Sequence, residues 1–358
     1  MSRALRRSWR ALVLAALLPA LGGCASVGYY AQSLRGHFDL LTRAKPVKEW
    51  VSDEATPADL RERLRLSQEM RDFAITELKL PDNASYRRYA DLHRDAAVWN
   101  VVAAPELSLQ LKTWCFPILG CVGYRGYFDR DEARGLGDEL KHAGWEVSVY
   151  GVPAYSTLGW SNWLGGDPLL NTFVSGPETD LARLLFHELA HQKAYADDDT
   201  AFNESYATAV ERLGLERWMA HRGNPHLREE YQETEARRAQ FRSLTRALRE
   251  RLDALYRSDA SDADKRARKA ELMADFRRDY EQLKQREWHG DGGWDGWVQR
   301  ANNASLAVQG AYGDLVPDFM RLFERVGGDW DRFHAEAARL AKLPKAQRRK
   351  ALQGAEGQ

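Results

Sequence analysis

The chain has 358 residues, 44% of them hydrophobic, which is enough for one large domain or two ordinary ones around a real core. Basic and acidic side chains balance at 52 each, yet Arg3, Arg6, Arg7 and Arg10 stand in the first ten residues and no acid occurs before Asp39. The rest of the chain therefore carries an excess of about four negative charges, which sets nucleic acid aside as a partner.

The arginines precede Ala11-Leu12-Val13-Leu14-Ala15-Ala16-Leu17-Leu18. This run is too short to span about 30 Å of hydrocarbon and is flanked as a secretory signal is. It ends in Leu21-Gly22-Gly23-Cys24, which resembles a bacterial lipobox. The resemblance implies removal of residues 1–23, lipidation of Cys24 and, with Ala25 rather than aspartate next, sorting to the outer membrane. An ordinary signal peptide or an uncleaved anchor is the plainer alternative. No later apolar segment is long enough to cross a membrane, so the expected location is the periplasmic face of the cell envelope, with a soluble body on a lipid tether.

Tyr29 to Leu41 reads as a short helix. Thr56-Pro57-Ala58-Asp59 reads as a helix start with Thr56 as N-cap, followed by Leu60, Leu64, Met70, Phe73 and Leu78 at helical spacing up to Pro81. Ala97 to Ala103 and Trp145 to Tyr150 are β-rich and flank a helix from about Asp131 to His142, so this region supplies a small sheet. Between them, Cys115 and Cys121 flank a short Pro/Gly loop. In an exported protein that favours a disulfide over a metal knuckle, two buried thiols being the alternative. Gly151 to Gly176 reads as loop or hairpin and offers a binding surface. Ser175-Gly176-Pro177-Glu178 has a capping-box pattern and opens a helix from about Gly176 to Tyr195.

Past Gly214 the chain becomes charged. Phe241, Leu244, Leu248, Leu252 and Leu255 form one stripe, and Ala263, Ala267, Ala270, Met273, Phe276, Tyr280 and Leu283 form another. Ser258 to Asp262 separates them, predicting a long antiparallel helical hairpin whose charges are solvated faces, or else a partner-binding arm. Ala301 to Phe323 and Trp330 to Lys342 read as closing helices, and the last dozen residues as frayed.

The chemistry lies in His187-Glu188-Leu189-Ala190-His191. Residues four apart on a helix share a face, so the two imidazoles can reach one ion, and Glu188 stands about 100° round, placed to take a proton from metal-activated water. A catalytic zinc needs a third ligand and an open position. Glu204, in Asn203-Glu204-Ser205-Tyr206-Ala207 on the next helix, is the first candidate, with the Asp197 to Asp199 turn competing. Glu211 lies on the same face as Glu204 and suits a hydrogen bond to a ligand histidine. For the oxyanion, Tyr312 is the first candidate, with Tyr155 and Tyr124 behind it. Tyr155, Ser156 and Thr157 could run extended beside a peptide substrate, and Glu178 or Asp167 could take its ammonium group. His37, His93, His142, His221, His226, His289 and His334 lack ligand spacing.

His187 to His191 with Asn203 to Ala207 resembles the gluzincin metallopeptidases, in which the later Glu is the third zinc ligand, although the gap here is shorter. Cys115-Phe116-Pro117, Tyr124-Arg125-Gly126-Tyr127-Phe128, Gly151-Val152-Pro153-Ala154-Tyr155 and Phe202-Asn203-Glu204-Ser205 resemble more closely the bacterial Putative aminopeptidase family of exported lipoproteins. That resemblance runs from about Tyr30 to about Arg339. It implies an α+β, mainly α-helical fold with a zincin-like core and a zinc-dependent aminopeptidase of the envelope. A zinc endopeptidase acting on envelope proteins and a non-catalytic zinc-binding scaffold are the alternatives. The expected organisation is a signal peptide at 1–23, a tether and N-terminal segment at 24–55, and a metallopeptidase core at 56–225. The charged hairpin at 226–290, closing helices at 291–345 and a disordered tail at 346–358 complete it.

Overall fold

Local sequence signals account for most of the elements in the computed structural model, which describes residues 28–29, 32–116, 120–154, 165–309 and 315–354. Cys24 and the leader lie outside these. Helix α1 covers 32–43, followed by strand β1 (Lys45–Pro46), α2 (Val47–Ser52) and α3 (Ala58–Thr76). Pro57, not Thr56, is the N-cap of α3. The Thr56 hydroxyl is buried and makes no hydrogen bond among the described residues, so the fixed φ of Pro57 starts this helix rather than a side-chain cap. Leu64, Met70 and Phe73 enter the core, and Leu78 follows them from the loop beyond.

The middle of the chain builds the sheets. Strands β2 (Arg88–Ala90), β3 (Val98–Pro105), β4 (Trp114–Phe116), β5 (Gly120–Val122) and β6 (Arg125–Tyr127) precede α4 (Arg130–His142) and β7 (Trp145–Val152). The main sheet has the order β6-β3-β7, all antiparallel. Its two faces alternate along β3 as a pleat demands. Val101 and Ala103 pack with Ala133 and Leu140 of α4 on one side, while Val102 and Ala104 meet Ala304 on the other. Strand β8 (Leu169–Leu170) joins β1 and β2 in a second small sheet. The β4–β5 ribbon brings Cys115 opposite Cys121, and the two are joined as a disulfide.

The rest is helical: α5 (Asn171–Val174), α6 (Glu178–His191), α7 (Thr200–Arg222), α8 (Pro225–Arg257), α9 (Asp262–Glu287), α10 (Asp295–Arg300), α11 (Asn303–Gln309), α12 (Val316–Arg325), α13 (Trp330–Ala341) and α14 (Lys345–Leu352). The chain is thus α+β and mainly α. Its largest core is the interface of α3, α6, α7, α12 and α13. No described helix is long and apolar enough to cross a membrane.

Three further expectations fail for stated reasons. No side chain caps α6, because Glu178, the presumed partner of Ser175 in a capping box, instead accepts a hydrogen bond from Trp218 Nε1 at 2.9 Å. In α9 the alanines 263, 267 and 270 are exposed and Lys269 points inward, ion-paired with Glu146 of β7. The hairpin therefore lies back on the sheet, and Tyr256 also reaches Asn303 at 2.9 Å. Residues 345–352 are not a frayed tail but α14, with Leu352 and Arg348 buried.

Candidate metal centre

Leu181, Leu185, Phe186, Leu189 and Ala190 turn the apolar side of α6 into the core. His187 and His191 are left facing α7. The two helices are antiparallel: Glu178 at the start of α6 meets Trp218 and Arg222 Nε (3.0 Å) late in α7, while His191 at its end meets Glu204 early in α7. Close approach needs small residues. Ala207 is fully buried, and a Cβ on Gly214 would lie 3.0 Å from Phe186 Cδ2 and 2.7 Å from Leu78 Cδ1.

The turn between the helices fixes Glu204 in rotation as well as distance. Asp199 caps α7 by accepting from Phe202 N at 3.3 Å. Asn203 clamps the turn to the helix, its Oδ1 accepting from Ala196 N at 2.7 Å and its Nδ2 donating to Ala196 O at 2.8 Å. Gln192, the C-cap of α6, accepts from Asn83 Nδ2 at 2.6 Å and ties the end of the helix to the loop at Asn83.

The ligand atoms of His187, His191 and Glu204 all lie within 4.8 Å of one another. His187 Nε2 is 3.2 Å from Glu204 Oε2, and His191 Nε2 is 3.7 Å from Glu204 Oε1. Donors on a tetrahedral ion at about 2.0–2.2 Å would be about 3.3 Å apart, so little movement would close the site on one cation. His187 Nδ1 lies 3.1 Å from Glu211 Oε2, and Glu211 Oε1 takes the Arg183 guanidinium at 2.5 Å. This is the carboxylate behind a ligand histidine that orients its ring. His191 Nδ1 is buried and has no hydrogen-bond partner among the described residues.

The electrostatics fit a cation. Burial works against the imidazolium of His187, but its hydrogen bonds to Glu204 and Glu211, with the nearby charge of Glu188, outweigh burial and raise its pKa to about 10. His191 is lowered to about 4 by burial and by the charge on His187, so its ring is neutral and keeps a lone pair for a metal. Burial alone would raise the carboxyls of Glu204 and Glu211. His187, together with His191 at Glu204 and Arg183 at Glu211, holds both below the ordinary range. Two imidazoles and a carboxylate, with a second carboxylate behind, are a donor set for a divalent transition-metal ion.

Beside His187 opens a cleft of about 350 Å³, lined by Glu188, Leu184, Arg183 and, from α8, Arg238. The hairpin thus walls the site. Arg238 holds Asp180 with both carboxylate oxygens at 2.9 Å, and Glu235 stands 3.6 Å from Arg183. On the other flank stand two exposed tyrosines, Tyr124 just before β6 and Tyr195 just after α6. Desolvation of its hydroxyl, followed by the charge of Glu204, raises the pKa of each. The Tyr195 ring centroid lies 6.2 Å from that of His191.

Of the residues the sequence singles out, His187, Glu188, His191, Glu204, Glu211 and Tyr124 converge here. Tyr155, Ser156, Thr157 and Tyr312 lie outside the described residues. Two of the three competing aspartates are engaged elsewhere: Asp199 and Asp198 bind Arg348 at 3.0 and 2.8 Å. Glu178 sits at the far end of α6, and Asp167 is buried, its backbone bonded to Ser85 and Tyr86. Arg183 and Tyr195 were missed. Arg183 stands one turn before His187 on α6 and so had a signal in the helical period, whereas Tyr195 lies past the end of α6 at His191, where no helical period places it.

The family model described as Putative aminopeptidase matches residues 28–352. No curated protein and no solved structure matches the chain significantly.

Proposed function

The chain belongs to the Putative aminopeptidase family, matched over all but its two ends, and from that premise we propose that it is a zinc-dependent aminopeptidase of the bacterial cell envelope. The observation that carries the reading is the convergence of His187, His191 and Glu204 with Glu188 lining the adjoining cleft. A zinc ion in that donor set would polarise a peptide carbonyl and lower the pKa of water. The chain's own groups supply the rest. Glu211 and Arg183 hold His187 in orientation. The Glu188 carboxylate takes the proton of the attacking water and returns it to the departing amine nitrogen. Tyr124 and Tyr195, on the flank by Glu204, offer hydroxyl donors to the developing oxyanion. The lipobox-like Leu21-Gly22-Gly23-Cys24 supports tethering of this body to the envelope through Cys24.

Metal content and hydrolysis of aminoacyl anilides and peptides, measured for the protein and for Glu188→Gln, test this. Both proteins should hold zinc, and only the first should turn over substrate. Zinc without turnover on a broad peptide panel would overturn the enzyme reading in favour of a scaffold. Cleavage of N-terminally blocked peptides would replace the aminopeptidase by an endopeptidase.

A further inference from the structure

Large apolar side chains that stay exposed are few among the described residues: Leu34 at 59%, Phe38 at 56%, Tyr124 at 41% and Tyr195 at 44%. The two tyrosines belong to the metal centre. Leu34 and Phe38 stand four residues apart on α1 and so share one face. The last turn of α1 enters the core through Leu40 and Leu41, which pack with Ala90, Leu92 and Leu170, while the earlier turns leave Leu34 and Phe38 uncovered. Scattered exposed leucines are ordinary, but a pair on one helical face marks a contact surface.

The face is held at a fixed attitude. Gly36 lies so close to Phe128 that a Cβ there would run into the ring. Gln32 donates to Gly126 O at 3.4 Å and accepts from Phe128 N at 3.2 Å, so its amide covers the outer edge of β6 as a further strand would. Arg125 stacks on the ring of Tyr29 at 4.2 Å, adding a second bond between the start of this region and the sheet.

The sequence just upstream indicates what the face meets. Cys24 precedes Gln32 by eight residues, a reach of at most roughly 26 to 29 Å, and the apolar run 11–18 lies shortly before it. We propose that the outer face of α1, with Leu34 and Phe38, seats in the interface of a lipid bilayer. The exposed Arg35 beside them extends toward anionic headgroups. This is a helix lying on the membrane, not one crossing it. Since β6 begins next to Tyr124, the same contact sets the metal cleft at a fixed height over the lipid. The inference rests on the envelope placement proposed above.

The test uses the full chain in vesicles of phosphatidylethanolamine and phosphatidylglycerol, as Leu34→Cys, Phe38→Cys and, at the exposed hairpin tip, Ser258→Cys. A charged, membrane-impermeant maleimide is added, and alkylation is followed peptide by peptide by mass spectrometry. Cysteines at 34 and 38 should react about tenfold more slowly than at 258, as expected of an interfacial face, and equally so when the protein is diluted in lipid. Equal rates at the three positions would overturn the proposal. Protection that fades on dilution would also overturn it and assign the face to a second copy of the chain. Alkylation of Cys24 itself would show a free thiol there and refute the lipid anchor, while protection at 34 and 38 would still uphold the seat of α1.

Discussion

His187 donates from Nδ1 to Glu211 at 3.1 Å while the other oxygen of Glu211 takes the Arg183 guanidinium at 2.5 Å. The relay crosses from α6 to α7 and back, so the ring of His187 is set by two helices at once. Glu211→Gln keeps the shape and removes the charge. Carboxylates behind metal-ligating histidines are worth about 10–100-fold in metal affinity, and a loss of that size is expected here in a competition titration with a chromogenic chelator. Helix content by circular dichroism should not change. Unaltered zinc affinity would show that Glu211 serves only Arg183.

Affinity for the metal should depend on pH in a defined window. His187 has its pKa raised to about 10 against about 6.5 for a free histidine, and Nε2 can bind an ion only after losing that proton. Apparent zinc affinity therefore climbs between about pH 6.5 and 10, by up to tenfold per unit. The same raised pKa stabilises the protonated fold, fully below about pH 6.5, and this contribution fades as pH rises toward 10. In excess chelator the melting temperature should fall across that window, and zinc should offset the fall. A zinc affinity independent of pH there would mean that His187 is neutral without metal.

How much of this was legible from the residues differs by element. The metal helix was readable because His187, His191 and the buried leucines obey one helical period, and Glu204 because its helix follows a capping aspartate after a short turn. What failed turned on contacts distant in sequence. Glu178 suits a capping box locally, but Trp218 and Arg222 claim its carboxylate from 40 residues or more away. Lys269 looks like a solvated charge until Glu146 on β7 is set opposite it. Arg183 was readable one turn before His187, yet a pattern search centred on two histidines gives no reason to extend it by a turn, and Tyr195 stands beyond the end of α6, where the period no longer applies.

A buried hydrogen-bond chain beneath the site predicts acid sensitivity. His334 donates from Nε2 to Leu78 O at 2.8 Å, which leaves Nδ1 to accept from Tyr206 at 2.6 Å. Burial lowers its pKa to about 4. The unfolded chain thus binds the proton more readily, and the stability is complete above about pH 6.5 and lost as pH falls toward 4, by about 3 kcal/mol. His334→Gln should flatten this slope in denaturant titrations between those values, leaving the share due to His191, which is likewise lowered to about 4. A slope unchanged in the variant would show that His334 is protonated in the fold.

Arg348 offers the sharpest test of how the C-terminal helix supports the centre. Its side chain is almost wholly buried, with Nη1 on Asp199 at 3.0 Å, Nη2 on Asp198 at 2.8 Å and on Leu343 O at 2.8 Å, and its guanidinium over the Phe202 ring at 5.3 Å. Asp199 is the cap of α7, so the arginine holds the turn that presents Glu204. Arg348→Met keeps the bulk but strips a fully buried carboxylate of its main partner, with Lys345 and Arg349 at 3.6 and 3.9 Å as weaker substitutes. Breaking one side of a buried pair costs about 3 kcal/mol, and a loss of unfolding free energy of that order is expected in denaturant titrations. Asp199→Asn combined with Arg348→Met should cost less than the sum of the two single changes, because the uncompensated charge is gone. Zinc affinity should fall in the single variant and recover in part in the double one. Additive costs, with no effect on zinc, would separate α14 from the site.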